Sequence, residues 1–370
     1  MSQTGRELTL KDKIFQKSVL SRIDILKQNN GSFKKPWVVE LDPTTACNLA
    51  CHDCISADLL NQGGFDRQRI KDMAKEFADY GIRAVVLIGG GEPMAHPEFG
   101  TLVDYFHENN IHVGVTSNGT LMNKYMDSLA NRTKWVRISV DAGSSEVFQK
   151  YRPHRSGKSQ FDSVISQMTD LGKKKKGKLG YSFLILTLPD GNGNQMTNAT
   201  DIEKAGILSK EIGCDYFEVK PSFDMFHFLQ NQPKHVNETI NEQLDKIRHL
   251  EDENFKIISP YTLQESIEGN EVQEKSYNRC LSAELRTVVS PSGAFVCPYF
   301  RGSQNMKIGD PNTQSLKEIW NGDRRKAVIN KLDPQKHCRF HCIRHSTNLA
   351  LEEIYAGKKV EEVEDYDFFI

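Results

Sequence analysis

The decisive stretch of this sequence is WVVELDPTTACNLACHDC, residues 37–54. Its first five residues form an apolar, β-branched run that predicts a buried strand. The string that follows carries three cysteines, Cys47, Cys51 and Cys54. Three thiolates suit an iron–sulfur cluster, which normally takes four cysteines, so one iron is left open to bind another molecule. A zinc knuckle is the alternative, although zinc sites usually bring paired CxxC or Cys/His groups.

Residues 37–230 alternate β-branched runs with amphipathic stretches, which is the pattern of repeated βα units. The predicted strands are Trp37–Leu41, Ala84–Ile88, His112–Thr116, Trp135–Val140, Tyr181–Leu186 and Tyr216–Val219. Six parallel strands predict an α/β fold, a partial (β/α)6 TIM-like barrel, in which chemistry collects at the C-terminal strand ends. The unusual residues do follow those ends, among them the three cysteines and the Gly-Gly-Gly-Glu-Pro string at residues 89–93.

The CxxxCxxC spacing, with Gly89–Pro93 one strand later, resembles the signature of the radical SAM superfamily. This resemblance implies that S-adenosylmethionine (SAM) chelates the open iron of a [4Fe-4S] cluster. It further implies that an electron from the cluster cleaves SAM, and that the 5′-deoxyadenosyl radical then abstracts a substrate hydrogen atom. A flavodoxin- or ferredoxin-type reductant is the implied partner.

The same resemblance implies a set of SAM-binding residues. Glu92 is expected to accept a charge-assisted hydrogen bond from the SAM amino group. Arg152 is expected to meet the SAM carboxylate, and polar residues after the third and fourth strands are expected to bind the ribose. The full set is Gly90, Gly91, Glu92, Pro93, Ser117, Asn118, Ser139, Asp141 and Arg152. Ordinary turn, cap and surface roles are the alternative. One position departs from the family, since Asp53 stands where an aromatic residue usually packs on adenine.

A second cysteine set follows after about residue 261, where the βα rhythm fades: Cys280, Cys297, Cys338 and Cys342. Residues 287–297 predict a hairpin that ends at the second of these cysteines. Four thiolates complete a cluster with no open iron, which suits electron transfer, whereas a zinc ribbon or free thiols are the alternatives. The set resembles the SPASM/twitch extension of one radical SAM branch, which implies an auxiliary iron–sulfur cluster, expected to be [4Fe-4S]. Cys214 is expected to be buried and structural.

The predicted organisation has five parts. They are an N-terminal helical extension (1–35), a partial barrel (36–235), a helical linker (236–275), a twitch/SPASM-like domain (276–345), and a C-terminal helix with an acidic tail (346–370). The tail is expected to be a solvated end. A net charge of −1 and the absence of a long apolar run argue against nucleic-acid and membrane partners. Eight cysteines without an export signal predict a cytoplasmic protein.

Composition and motifs leave the reaction open between two enzymatic hypotheses. The first is oxidation of a small, polar, sugar-like metabolite, with the auxiliary cluster as electron acceptor and Lys220 assisting deprotonation. The second is maturation of a ribosomal peptide by thioether or carbon–carbon cross-linking or by epimerisation. About 36 residues precede the first strand, which is short for a fused peptide-recognition domain of more than ~50 residues and favours the small molecule. A non-enzymatic zinc scaffold is the third hypothesis.

Overall fold

The computed structural model describes residues 10–28, 33–189, 195–224, 226–230, 232–270 and 272–370. The strands are β1 Val38–Leu41, β2 Ala84–Leu87, β3 His112–Ser117, β4 Trp135–Ser139, β5 Lys178–Leu184, β6 Thr187–Pro189, β7 Gln195–Thr197, β8 Tyr216–Lys220, β9 Lys256–Ile258, β10 Arg286–Ser290, β11 Gly293–Phe295 and β12 Lys307–Gly309. The α-helices are α1 Lys17–Gln28, α2 Arg67–Tyr80, α3 Phe99–Glu108, α4 Met126–Arg132, α5 Ser145–Tyr151, α6 Phe161–Lys174, α7 Ile202–Ile212, α8 Lys234–Ile247, α9 Tyr261–Glu268, α10 Leu316–Asn321, α11 Asp323–Lys331, α12 Pro334–His337 and α13 His345–Tyr355.

A ten-stranded sheet forms the centre of the molecule, in the order β12-β11-β10-β1-β2-β3-β4-β5-β8-β9. The six predicted strands are present and parallel, so the predicted α/β fold is confirmed. The sheet is larger than predicted, because β9 adds a parallel strand beside β8 and β10 pairs in parallel with β1. The free edge of β1 thus finds hydrogen-bond partners in the cysteine-rich extension. The predicted hairpin, β10 with β11, is therefore part of the same sheet as the barrel.

The helices cover the outer face of the sheet, as their apolar periodicity requires. Helix α2 shows the local signals clearly. The Asp66 carboxylate accepts from the backbone N–H groups of Gln68 and Arg69 at its start, and Gly81 ends it with φ +73°. Its buried side chains pack with Val85 and Leu87 of β2 in the larger apolar core. Capping and amphipathicity thus fix the helix on the sheet.

Strand β5 begins three residues earlier and ends two residues earlier than the sequence predicts. Gly180 lies inside this strand, although glycine usually weakens a strand. A Cβ at this position would lie 2.1 Å from the ring of Tyr216 on the neighbouring strand. The glycine therefore makes room for a buried ring, which local sequence alone does not indicate.

The end of the acidic tail is buried, so the expectation of a solvated end is wrong for the last three residues. Phe368 and Phe369 pack against Trp37, His112 and Trp135, which lie just before or at the starts of β1, β3 and β4. Arg286 of β10 donates to the backbone oxygen of Ile370 at 2.8 Å. The tail therefore closes the floor of the barrel, opposite the C-terminal strand ends.

The remaining segments differ in how far the structure describes them. Residues 1–9 and 29–32 of the predicted N-terminal extension lie outside the described residues. The segment predicted as a helical linker contains α8 and α9, and also β9, which belongs to the sheet. Within the described parts of the chain, no helix combines the length and hydrophobicity needed to cross a membrane.

Candidate active site

The first three cysteines lie on a loop that leaves the C-terminal end of β1. A second segment, residues 153–155 after α5, holds this loop by backbone hydrogen bonds. Ala50 N–H donates to the Pro153 oxygen at 2.8 Å, and Arg155 N–H donates to the Asn48 oxygen at 3.1 Å. The Arg155 side chain also donates to the Cys47 oxygen at 3.1 Å. The cysteine loop is therefore anchored by hydrogen bonds to its backbone, at the C-terminal end of β1.

The Gly-Gly-Gly-Glu-Pro string packs directly on the residues that precede Cys47. Glu92 N–H donates to the Ala46 oxygen at 2.8 Å. A Cβ on Gly91 would lie 2.4 Å from that same oxygen, so only glycine permits this approach. The string thus positions the cysteine loop, in addition to any contact it makes with a cofactor.

The Glu92 carboxylate is buried, with 2% of the residue exposed, and three protein groups donate to it. Ser117 Oγ and Met94 N–H donate to Oε1 at 2.8 and 3.0 Å, and Asn118 N–H donates to Oε2 at 2.7 Å. Burial nevertheless raises the pKa of Glu92. In this structure the carboxylate ties β2 to the end of β3, and its contact with the SAM amino group stays a prediction.

Asn118 links the end of β3 to the cysteine loop through its side-chain amide. Its Nδ2 donates to Asn48 Oδ1 at 2.9 Å and lies 3.9 Å from Cys47 Sγ. Its Oδ1 accepts from the backbone and hydroxyl of Thr120 at 3.0 and 2.7 Å. Ser139 lies at the end of the next strand, β4. The roles of these residues in ribose binding stay predictions.

Asp141 and Arg152, both predicted to bind SAM, form an ion pair with each other. Asp141 has φ +57°, and its Oδ1 also accepts from the Leu184 N–H at 2.7 Å. Burial lowers the pKa of Arg152, but the thiolate of Cys51 and the carboxylate of Asp141 outweigh it and hold the pKa above its usual value. The guanidinium is therefore a fixed cation beside the cysteine loop.

The thiols of the loop are suited to a metal cluster. Burial raises the pKa of Cys47 and Cys54, and neighbouring thiolates raise it further. Iron stabilises the thiolate form, so a bound cluster would offset that cost. Three soft donors, one fixed cation and a loop held by backbone fit a [4Fe-4S] cluster with an open iron.

The four later cysteines interact with one another electrostatically and form a second cysteine site. Cys280 precedes β10, Cys297 follows β11, and Cys338 and Cys342 lie on the loop between α12 and α13. Burial, together with the smaller effect of the Cys280 thiolate, raises the pKa of Cys342 to about 12. Burial raises the pKa of Cys297, and the other three cysteines of the set also act to raise it. Among the described residues, no three His, Cys, Asp or Glu side chains are arranged to hold a single metal ion.

A buried ion pair between Arg301 and Asp42 connects the C-terminal extension to the end of β1. The sequence does not predict this pair. Arg301 follows Cys297, and its Nε lies 2.5 Å from Asp42 Oδ2 at the end of β1. Asp42 also accepts from the Gly90 backbone, and burial raises its pKa against the opposing effect of Arg301. Only the position of Asp42 after a strand could have indicated a site role. The Arg301–Asp42 ion pair thus holds the extension beside the Gly-Gly-Gly-Glu-Pro string, whose Gly90 contacts the same carboxylate.

Lys220 faces the barrel interior at the end of β8. Its Nζ lies 3.2 Å from Glu218 Oε2, which also pairs with Arg137 Nη1 at 3.3 Å. Burial and the nearby guanidinium lower the pKa of Lys220, while Glu218 opposes this shift. Lys220 therefore shares one carboxylate with the guanidinium of Arg137, and a catalytic role stays a prediction.

Comparison with known families agrees with this geometry. Residues 41–201 match the family model of the radical SAM superfamily, and residues 280–343 match the SPASM model, an iron–sulfur cluster-binding domain. The chain belongs to the radical SAM superfamily. It carries a SPASM/twitch extension, and the two domains imply [4Fe-4S] clusters and SAM as cofactors. That the two cysteine sets hold these clusters stays a prediction.

Curated relatives match mainly over the barrel. The mycofactocin maturase MftC of Mycobacterium tuberculosis is 29% identical over 150 residues, 40% of this chain and 37% of the maturase. The subtilosin biosynthesis protein AlbA of Bacillus subtilis is 30% identical over 156 residues, 41% of this chain and 35% of AlbA. The matched regions thus span little more than a third of these relatives.

Solved structures match over most of the chain. Streptococcus suis SuiB, crystallised with its precursor peptide SuiA, has a TM-score of 0.61 at 16% identity and covers 95% of this chain and 79% of SuiB. The anSMEcpe structure with bound AdoMet has a TM-score of 0.58 at 17% identity, over 87% of this chain and 97% of that one. These likenesses show the shared fold.

Proposed function

We propose that this radical SAM enzyme modifies a peptide, as the maturase of a ribosomally made precursor. The proposal rests on sequence similarity to two curated relatives. The barrel sequence is similar to MftC, a mycofactocin maturase, and to AlbA, a bacteriocin biosynthesis protein. The comparisons do not support the sugar-like oxidation predicted from sequence.

Exposed apolar side chains adjoin the two cysteine sets in sequence. Ile55, beside Cys54, is 54% exposed, and Ile343, next to Cys342, is 44% exposed. Phe226 is 67% exposed in the segment after β8. A polyol would be held by hydrogen-bonding groups, so we take these apolar residues as candidate contacts of a peptide.

The residues of this chain then have distinct tasks. When bound, SAM and its cluster supply the hydrogen-abstracting 5′-deoxyadenosyl radical. Glu92 and Asn118 hold the cysteine loop against β3, and the Asp141–Arg152 pair keeps a cation beside the loop. Lys220, which lies at the end of β8 and pairs with Glu218, is proposed to hydrogen-bond a peptide carbonyl or to move a proton. A flavodoxin- or ferredoxin-type protein is the proposed reductant.

The test is an anaerobic incubation of reconstituted enzyme, SAM and dithionite with synthetic peptides encoded by short reading frames beside its gene. Mass spectrometry in deuterated water is expected to show a peptide that loses two hydrogens on cross-linking or gains one deuterium on epimerisation. The matched control replaces Cys47, Cys51 and Cys54 by alanine and is expected to leave the peptide unchanged. Oxidation of a polyol panel with every peptide intact would refute the proposal.

A further inference from the structure

Lys275 is a buried ammonium on the segment that crosses the second cysteine site. Only 6% of the residue is exposed. Its Nζ donates to the Phe340 oxygen at 3.0 Å, to the Gln273 oxygen at 2.9 Å and to Gln273 Oε1 at 2.6 Å. All three acceptors are neutral amide oxygens. Lys275 forms no salt bridge with any residue that the structure describes, so among those residues no carboxylate forms an ion pair with this positive charge.

The segment that carries Lys275 is fixed to the loop of the last two cysteines. Gln273 N–H donates to the Arg339 oxygen at 2.7 Å, between Cys338 and Cys342. Cys342 N–H donates to Gln273 Oε1 at 3.3 Å, and this oxygen also accepts from Lys275. One glutamine side chain therefore connects the ammonium to the backbone of Cys342.

Lys275 interacts electrostatically with Cys338 and Cys342. Burial lowers the pKa of Lys275 to about 8, while Cys342 and Cys338 act to raise it. The interaction is reciprocal, since Lys275 lowers the pKa of both thiols against the larger effect of burial. A bound cluster places further negative charge at this point, which favours the ammonium form.

The first cysteine site has a different charge balance. Of the two guanidinium groups beside its loop, Arg155 is exposed and Arg152 is paired with Asp141, and the buried Glu92 raises the pKa of Cys47. At the second site Glu284 and Asp333 likewise raise the pKa of Cys280 and Cys338, but Lys275 has no salt-bridge partner among the described residues. N–H groups also donate to sulfur there, such as Arg344 N–H to Cys342 Sγ at 3.3 Å. Positive charge and N–H donors to sulfur both raise the reduction potential of an iron–sulfur cluster.

We propose that Lys275 raises the reduction potential of the auxiliary cluster held by Cys280, Cys297, Cys338 and Cys342. The reduced cluster carries one more negative charge than the oxidised cluster, and the fixed ammonium stabilises that extra charge. The step moves one electron and neither makes nor breaks a bond. Lys275 is a positioning charge and not a cluster ligand, and the inference holds whichever substrate the enzyme takes.

The test is a redox titration of the holoenzyme followed by electron paramagnetic resonance. A variant with Cys47, Cys51 and Cys54 replaced by alanine identifies the signal of the auxiliary cluster. In Lys275→Met the ratio of reduced to oxidised auxiliary cluster at a fixed potential is expected to fall about tenfold, a shift of about 59 mV for one electron. Lys275→Arg keeps the charge and is expected to stay within threefold of the wild type.

The matched control is Lys326→Met, because Lys326 also lies in the C-terminal extension but its side chain is 62% exposed and pairs with the exposed Asp323. Water screens this charge, so the control is expected to leave the midpoint unchanged. An unchanged midpoint in Lys275→Met, or an equal shift in Lys326→Met, overturns the proposal. Where Lys275→Met does not retain iron, Lys275→Gln replaces it, since an amide still donates to carbonyls. A lowered midpoint in Lys275→Gln supports the proposal, and an unchanged one overturns it.

Discussion

Replacing Gly91 by alanine is expected to displace the loop that carries the first three cysteines. A Cβ at position 91 would lie 2.4 Å from the Ala46 oxygen and 2.4 Å from the Thr45 carbonyl carbon. Both atoms are backbone, so no side-chain rotation can relieve the contact. Neither Gly90 nor Gly91 has positive φ, so alanine meets no conformational obstacle and the effect is one of space alone.

The required displacement follows from ordinary contact distances. A Cβ is normally at least 3.4 Å from a neighbouring atom, so the loop must move by about 1 Å. The Glu92 N–H to Ala46 oxygen hydrogen bond, now 2.8 Å, would then exceed hydrogen-bonding length. Overpacking of this kind costs about 1–3 kcal/mol, and the lost hydrogen bond adds about 1 kcal/mol. The cysteines next along the chain would move with Ala46.

The assay measures iron and sulfide per chain after anaerobic reconstitution, together with the urea midpoint of unfolding. Gly91→Ala is expected to lose the SAM-type cluster, which lowers iron from about eight to about four per chain, and to unfold at lower urea. Gly90→Ala is the matched control, because a Cβ there lies 3.8 Å from Thr45 Cγ2 and meets nothing closer. Equal iron content and equal midpoints in the two variants would refute the reasoning.

Four further perturbations test other parts of the structure. Arg301→Leu is expected to cost roughly 3–5 kcal/mol in urea unfolding, because it leaves the buried Asp42 carboxylate unpaired, and the added Asp42→Asn change is expected to recover part of this loss. Phe368→Ala is expected to cost about 3 kcal/mol, whereas Phe226→Ala, at an exposed position, is expected to stay near wild type; equal effects would contradict the buried tail. Burial lowers the pKa of His112 to about 4, so the unfolded chain binds the proton first and stability is expected to fall as pH drops from about 6.5 to about 4. His112→Phe is expected to flatten that fall in urea titrations across this range. Alanine at the three cysteines of the first loop is expected to lower iron from about eight to about four per chain, and a fall to none would mean that the second set holds no iron.

The local sequence predicted much of the fold because its signals repeat over short distances. Each of the six predicted strands is a β-branched or aromatic run, and the structure has a parallel strand at each of them. The strand Lys178–Leu184 begins earlier than predicted and includes Gly180. The absence of a side chain at Gly180 leaves room for the ring of Tyr216 on the neighbouring strand, and local sequence does not indicate a contact with a residue so far along the chain. Motif residues such as Gly91 and Glu92 could also be found, since their spacing to the cysteines is itself the signal.

Local sequence patterns were enough to predict the parallel strands, the two cysteine sets and the family resemblance that they carry. Tertiary structure alone decided that β10 extends the barrel sheet, that Arg301 pairs with Asp42, and that Phe368 closes the barrel floor. It also decided that Lys275 lies beside the last cysteine pair. Motifs and periodicity are properties of residues close together in the chain, whereas these contacts join residues 65 to 331 positions apart. Their partners are chosen by the burial of charge and apolar surface once the whole chain has folded.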